Sequence, residues 1–392
     1  MKTYKNISSS ILLLLSGYLF ANDDILSQNK KEILKYSYEK AKQDSSKLSK
    51  DWINPVTYKY IYNEGEQYDT KKSFISISQP IFKSGGIYSA LKYASSIDRY
   101  SEISIDAQKQ ELVKQALKLL FEINKIDLTI KKQELLVSNA TIDVDRKKEL
   151  VLNGILDTSF LDNAILESNI KRNTLIDFQY QKDQLINSFS NISDKKYYEI
   201  DLPVFFVIDN NKYINNNIYI KQASVDIDSS YWMKKMTTAR YLPTVNFTAD
   251  YTKYHEIDNH PTLSEDGTKN IGINITVPLD IKYYNTIQSS KLDYLKKKVS
   301  LSDKKKEELS IYKNSTSKIK SLDKKIKIAN NDLKLYESLL KQMEEQLNVG
   351  LKTQADLQTM KNSKDLKLLE IKSLNIDKQL QLLEIYSRIA NG

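Results

Sequence analysis

The sequence predicts a mixed fold: a membrane β-barrel joined to long coiled-coil helices, built as two tandem structural repeats with four strands per chain. Three observations predict it. First, apolar residues fall at Ile319, Leu322, Ile326, Ala329, Leu333, Tyr336, Leu340, Met343 and Leu347, with steps of three and four in alternation. This is a heptad seam, the pattern that packs one helix along another. Second, the design recurs 196 residues earlier. Ile123, Ile126, Ile130, Val137, Ala140, Val144 and Val151 hold the same heptad positions, with Gln133 and Lys147 as polar interruptions; Gly154 then matches Gly350, and Leu161 matches Leu357. Agreement of seam, glycine and leucine at one offset marks an internal duplication. Third, none of the six prolines lies in 81–202 or 279–392, and beyond Gly85 and Gly86 each tract holds one internal glycine, Gly154 or Gly350. Such tracts mean helices far longer than the globular mean of about 11–12 residues. They argue against an ordinary compact enzyme domain.

The N-terminus reads as a secretory signal over 1–21. Lys2 and Lys5 supply the charge, Ile11–Phe20 the apolar stretch, and Ala21 the last residue removed. The competing reading is a membrane anchor, but the stretch is shorter than the roughly 20 residues a spanning helix needs. Without cysteine there is no disulfide, thiol nucleophile or lipid-modified cysteine. The formal charge of +9 is spread along helix faces together with Glu and Asp. That pattern reads as solvated helix surface, not a nucleic-acid site, which needs a concentrated patch.

Repeat 1 spans 22–189. A helix from Asp24 to about Lys50 ends at Asn54-Pro55. A strand at about 56–63 places Tyr58, Tyr60 and Tyr62 on one face. After a loop at Glu64-Gly65-Glu66, a second strand returns at about 73–79, and Pro80 and Gly85-Gly86 break it. A helix from about 87 to 151 follows, near 100 Å long at about 1.5 Å per residue. The hairpin turns at Gly154, and a helix runs from about Thr158 to Phe189. A polar, irregular connector with Pro203 occupies 190–211.

Repeat 2, 212–392, restarts the plan. A helix from about Tyr213 to Arg240 ends at Leu242-Pro243. Strands at about 244–254 and 270–278 alternate strictly, with Val245, Phe247, Ala249 and Tyr251 in the first and Ile271, Ile273, Ile275 and Val277 in the second. A polar loop, His255–Asn270, joins them. A helix from about Tyr284 to Val349, the turn at Gly350 and a helix to about Ile389 complete the repeat.

Strands of about ten residues with one apolar face suit a membrane barrel; a soluble sheet packed on one side reads the same locally. The signal and the long helices favour the barrel. Four strands cannot close, since bacterial barrels start at about eight, and an open sheet in lipid leaves unpaired edges. The barrel is therefore expected to be shared between chains.

On these residues the sequence resembles the TolC family of outer-membrane channel proteins. The resemblance is carried by Ala239-Arg240-Tyr241-Leu242-Pro243 before a strand, and by Gln79-Pro80-Ile81-Phe82 and Val277-Pro278-Leu279 at strand ends. At the hairpin it is carried by Asn348-Val349-Gly350-Leu351 with Thr353, Asp356 and Leu357. The resemblance implies a homotrimer, with a twelve-stranded barrel in outer-membrane lipid and a long α-helical coiled-coil barrel through the periplasm. It implies a passive exit duct for an inner-membrane transporter and a periplasmic adaptor, in a tripartite efflux pump or a type I secretion system. The adaptor-docking tip it implies is Gly154 and Thr158 in the first turn and Val349, Gly350, Leu351 and Thr353 in the second. Asn153 stands where the family has valine. Asp356 matches the first of the aspartates that line the family's pore aperture, and Thr359 departs from the second.

Outside the resemblance, chemistry is sparse. His255 and His260, the two histidines, share a loop with Asp258 and Asp266, which is too few ligands for a metal site. No Ser-His-Asp order, phosphate loop or zinc motif occurs, so neither catalytic residue, metal nor cofactor is expected. Tyr58, Tyr60 and Tyr62 read as membrane-interface or lipid-facing residues, against ordinary surface tyrosine. Asp356 has a second reading, as an acid favoured at a helix start. For the whole chain, the alternative is a periplasmic or surface coiled-coil scaffold without channel activity.

Overall fold

The structure, a computed structural model, describes residues 23–64, 69–257 and 267–390. The expected signal, His260, Asp258 and Asp266 lie outside them. The chain divides into two units. One takes the chain up to Leu34, Asp106–Ile218 and from Glu307 onward; the other takes Lys35–Ile105 and Tyr219–Lys306. A 3-10 turn at Asp23–Ile25 precedes α1 (Gln28–Lys50), β1 (Thr57–Asn63), β2 (Thr70–Phe82), α2 (Gly86–Leu152) and α3 (Thr158–Ser190). After the connector come α4 (Asn210–Asn216), α5 (Ile218–Ala239), β3 (Thr244–Ile257), β4 (Thr268–Thr276), α6 (Tyr283–Asn348) and α7 (Gln354–Tyr386). The helices α2 and α6 hold 67 and 66 residues, unbroken as their lack of internal Gly and Pro implies.

In the second unit, the strands form one antiparallel sheet in the order β1-β2-β3-β4. β2 is longer at both ends than the sequence suggests, and Pro80 does not break it. Pro80 lies opposite Asn246, and the register shifts between Pro80 and Phe82. A proline lacks the N–H that a ladder needs, so it is tolerated at such an irregularity. The strand ends in a sharp turn, with Ser84 and Gly85 at φ 47° and 81° and the Ser84 hydroxyl donating to the Pro243 carbonyl at 2.7 Å.

In the first unit, polar cross-links fix the order of the helices. Gln133 and Asp127 on α2 reach Lys171 and Lys182 on α3. On its other side α2 meets α7 through Lys114–Glu384, Lys125–Asp377, Asn139–Asn362 and Arg146–Asp356. Then α7 meets α6 through Lys378–Asp323 and Lys367–Asp332. Thus α2 and α7 lie inside, flanked by α3 and α6. The predicted seam of α6 is the packed one: Ile319, Leu322 and Ala329 are buried and the other six positions half-buried.

The expected helix from Tyr213 to Arg240 is broken at Asn217, which ends α4 and pairs with Ile389 in an isolated bridge. The reason is a buried carboxylate. Glu308 is fully buried and accepts from the Tyr213 hydroxyl at 2.8 Å, Asn217 Nδ2 at 2.9 Å and Arg388 Nη1 at 3.0 Å. Satisfying that charge is worth more than one helical turn, because an unpaired buried charge is expensive. Burial, then the bond to Glu308, pushes the Tyr213 hydroxyl far above its ordinary pKa. The connector is irregular, as expected, yet well anchored. Phe205 is buried between Phe121 and Tyr386, and its backbone N–H donates to Gln379 Oε1 at 2.7 Å.

Candidate functional site

Two regions carry the candidate functional residues. The first is the sheet. Cross-strand pairing sets Tyr58 opposite Ile75, Ile75 opposite Tyr251, Gln79 opposite Phe247, and Phe247 opposite Ile273. Residues paired across a sheet share a face, and alternate residues along a strand do too. Tyr58, Tyr60 and Tyr62, Ile75 and Ile77, Val245, Phe247 and Ala249, and Ile271, Ile273 and Ile275 therefore form one largely apolar face, interrupted by Ser73 and Gln79. The opposite face carries Lys59, Ser76, Ser78, Asn246, Thr248, Asp250, Asn270 and Asn274, with Ile61 and Phe74 among them. The apolar side is uncovered: Tyr58 is 64% exposed and Ile271 79%. Among the described residues, β1 and β4 each pair on one side only.

The loop end of this face is amphipathic. Lys71 lies over the Tyr62 ring at 5.5 Å. His255 is brought onto the tyrosine side by the register shift between Lys71 and Lys72; its Nε2 lies 2.7 Å from the Ser73 hydroxyl, itself 3.2 Å from that of Tyr58. Its partners are hydroxyl and ring, not ligands. Among the described residues no three His, Asp or Glu side chains are grouped to hold a metal ion.

The second region is the pair of hairpin turns. Both close in the same way. In the first, the N–H of Ile155 donates to Leu150 O at 2.8 Å and that of Gly154 to Val151 O at 3.0 Å. In the second, the N–H of Leu351 donates to Gln346 O at 2.9 Å and that of Gly350 to Leu347 O at 3.0 Å. This is the Schellman pattern, which needs a left-handed residue after the helix. Gly154 and Gly350 supply it at φ 69° and 75°. Asp157 then caps α3, accepting from the Ser159 N–H at 2.9 Å, and Thr353 caps α7. Both turns present bare apolar side chains: Leu152, Ile155, Val349 and Leu351 are all well exposed.

Asp356 is the third residue of α7. The Thr353 N–H and hydroxyl donate to its Oδ2 at 3.1 and 2.9 Å, and Arg146 Nη2 donates to its Oδ1 at 2.5 Å. The Thr353 bonds first, then the Arg146 charge, hold this carboxyl below the usual carboxylate range. Its helix-start role is thus visible within one chain. Thr359 turns back onto its own helix, donating to the Ala355 carbonyl at 2.9 Å.

This arrangement of open sheet and twin hairpins is found in solved structures. The outer membrane protein VceC of Vibrio cholerae matches with a TM-score of 0.71 at 13% identity, over 96% of each chain. The chain has the TolC fold. The outer-membrane channel OprN matches at 0.74 and 10% identity, over 99% of this chain and 93% of the other. The Campylobacter jejuni CmeC outer membrane channel matches at 0.70 and 12%, over 97% and 86%. No family model matches the sequence, and no curated protein matches it either. At these identities the TolC fold is retained while almost every side chain differs.

Sequence reasoning overlooked three residues of this TolC-type arrangement. Ile155 stands at the position equivalent to Leu351, and the repeat offset alone would have found it. Asp157 stands opposite Thr353, and an acid before Thr-Ser is an N-cap signal. Arg146 pairs with a residue 210 positions away and left no local trace.

Proposed function

We propose that this chain is a passive channel of the outer membrane, assembled as a homotrimer whose twelve strands close one barrel. The observation that carries this reading is the four-stranded sheet with one uncovered apolar face and two unpaired edges. Exposed backbone at a sheet edge is costly in lipid, and four strands are too few to close. Lending β1 of each copy to β4 of the next removes every edge. It also sets the apolar face toward lipid and the Asn, Ser and Thr face toward a water-filled lumen. Tyr60 and Tyr62, with Lys71 and His255 beside them, suit the membrane–water boundary, where aromatic rings with polar tips are favoured. The likeness to VceC, OprN and CmeC supports this reading at the level of fold.

The finer reading is an exit duct docked to a periplasmic adaptor and, through it, an inner-membrane transporter. The bare apolar groups at the two turns support it, because Ile155, Val349 and Leu351 would otherwise stand in water. Gly154, Thr158, Val349, Gly350, Leu351 and Thr353 form this docking tip, and three copies of Asp356 line the pore aperture nearby. Thr353 and Arg146 hold this acid ionised to lower pH than a free carboxylate, while the Arg146 charge offsets part of the field that three copies offer to cations at the mouth.

The test is fractionation and conductance. The mature protein should sediment with the outer membrane, run as a trimer until heated in detergent, and open discrete conductances in planar bilayers. A soluble, non-conducting coiled-coil protein would overturn the proposal and restore the scaffold reading.

A further inference from the structure

A cavity of about 350 Å³ opens where the strands of the second unit give way to helices. Its walls come from the end of α1, the turn into α2 and the end of α5. Leu48, Ile87, Ala90 and Met236 make it apolar, Trp52 and Tyr93 add rings, and Lys83, Arg240 and Asp51 add charge. The walls are pre-formed. A side chain at Gly86 would meet Ala239 Cβ at 3.1 Å, so the first turn of α2 lies hard against the last turn of α5. The strained Ser84–Gly85 turn is tied down by the Ser84–Pro243 hydrogen bond. Among the described residues, Lys83, Arg240 and Asp51 have no ion-pair partner. Ile53, Val56, Ile81, Phe82 and Leu242, at or next to the ends of the same strands, are exposed.

Two cations and one acid beside an apolar hollow, at the end of a lipid-facing sheet, make an amphiphile site. We infer that this cavity binds a phospholipid with an ethanolamine headgroup. Lys83 and Arg240 take the phosphate, as guanidinium and ammonium groups do elsewhere. Asp51 takes the primary ammonium, and the apolar wall takes the start of an acyl chain. A volume of this order suits a small-ligand site with a few convergent polar groups. The inference rests on the outer-membrane reading above, and it adds a lipid tie to a chain without a cysteine for acylation.

The test uses the full-length mature trimer, delipidated in detergent and titrated with dioleoyl phosphatidylethanolamine, -glycerol or -choline. Bound lipids are counted by native mass spectrometry. Saturable binding of up to three ethanolamine lipids per trimer is expected, tighter than for the glycerol and choline lipids. Lys83→Gln with Arg240→Gln should weaken it about a hundredfold, the scale of two charge-assisted contacts. Asp51→Asn should erase the preference for the ethanolamine lipid over the glycerol lipid, because it deletes the ammonium's partner and a charge that repels the anionic glycerol lipid. Ala90→Phe, which fills the hollow, should abolish binding while the trimer mass and helical circular dichroism stay as they were. Equal binding of all three lipids, or binding indifferent to these substitutions, would overturn the site while leaving the channel reading intact. Failure to form the trimer would instead count against the channel reading.

Discussion

The two hairpin turns share a backbone and differ in what holds them. Each closes on a left-handed glycine with the same pair of hydrogen bonds, 196 residues apart. Past the glycine they diverge. The first turn has a single cap, Asp157, whose carboxyl the Ser159 bonds hold below the usual range. The second has a reciprocal capping box of Thr353 and Asp356, with Arg146 of α2 added to it. The longer view along the same helices is similar. Glu308 on α6, the centre of a buried polar cluster, has Leu112 as its counterpart on α2. The two copies share the turn and the seam, and differ in the capping box and in the buried carboxylate that only the second carries.

The largest expected effect breaks this asymmetry at its deepest point. Glu308→Ala removes the acceptor that Tyr213, Asn217 and Arg388 share, and leaves Arg388 with Glu384 as its remaining acid. With the Tyr213 hydroxyl and the Asn217 amide left unsatisfied at about 1–3 kcal/mol each, it should still be the most destabilising change in the helical unit, read as a lower urea midpoint by circular dichroism. Next come the glycines, where the turns should behave alike. Gly154→Ala and Gly350→Ala meet no neighbouring atom, so only the left-handed backbone is penalised, at about 1–2 kcal/mol each. Unequal losses would mean that the turns are not equivalent. Of the two, Gly350→Ala with Leu351→Asp should also abolish adaptor cross-linking while the trimer remains.

Smaller effects separate the caps. Thr353→Ala should cost about 1 kcal/mol, and Asp157→Ala should act in the same direction by loss of its cap bond. The pH dependence has a defined sign. The folded pKa of Asp356 is lowered, so its contribution is complete above the unfolded carboxylate value of about 3.9 and is lost as pH falls through the folded value. The melting difference between the native protein and Asp356→Asn should therefore be constant near neutrality and shrink below about pH 4. The smallest effect is Arg146→Ala, at about 0.2–1 kcal/mol for a half-exposed ion pair, abolished by salt.

Much of this was legible in the residues. The α6 seam emerges position by position, since apolar side chains at heptad spacing have one way to leave water together. The glycine turns were legible because breakers are rare in the tracts around them. Pro80 misled because a breaker rule takes no account of an irregular register that tolerates a missing N–H. The break at Asn217 was hidden, as nothing local forbids helix there. Its cause is Glu308, 91 residues away in the chain. The Arg146–Asp356 contact was hidden for the same reason: a pair across two helices is a product of packing, not of spacing.

The central claim is that three copies share one barrel, and strand-edge cross-linking tests it most directly. The chain has no cysteine, so introduced pairs report without background. Lys59→Cys on β1 can be combined in turn with Asn270→Cys, Gly272→Cys or Asn274→Cys on β4, all on the polar face. A disulfide needs Cβ atoms within about 3.5–4.5 Å, a separation that non-hydrogen-bonded pairs of antiparallel strands approach. The account predicts that oxidation of membranes carrying one of these combinations yields linked dimers and trimers and nothing larger. Folded protein in which no combination cross-links, or a ladder that continues past the trimer, would contradict it.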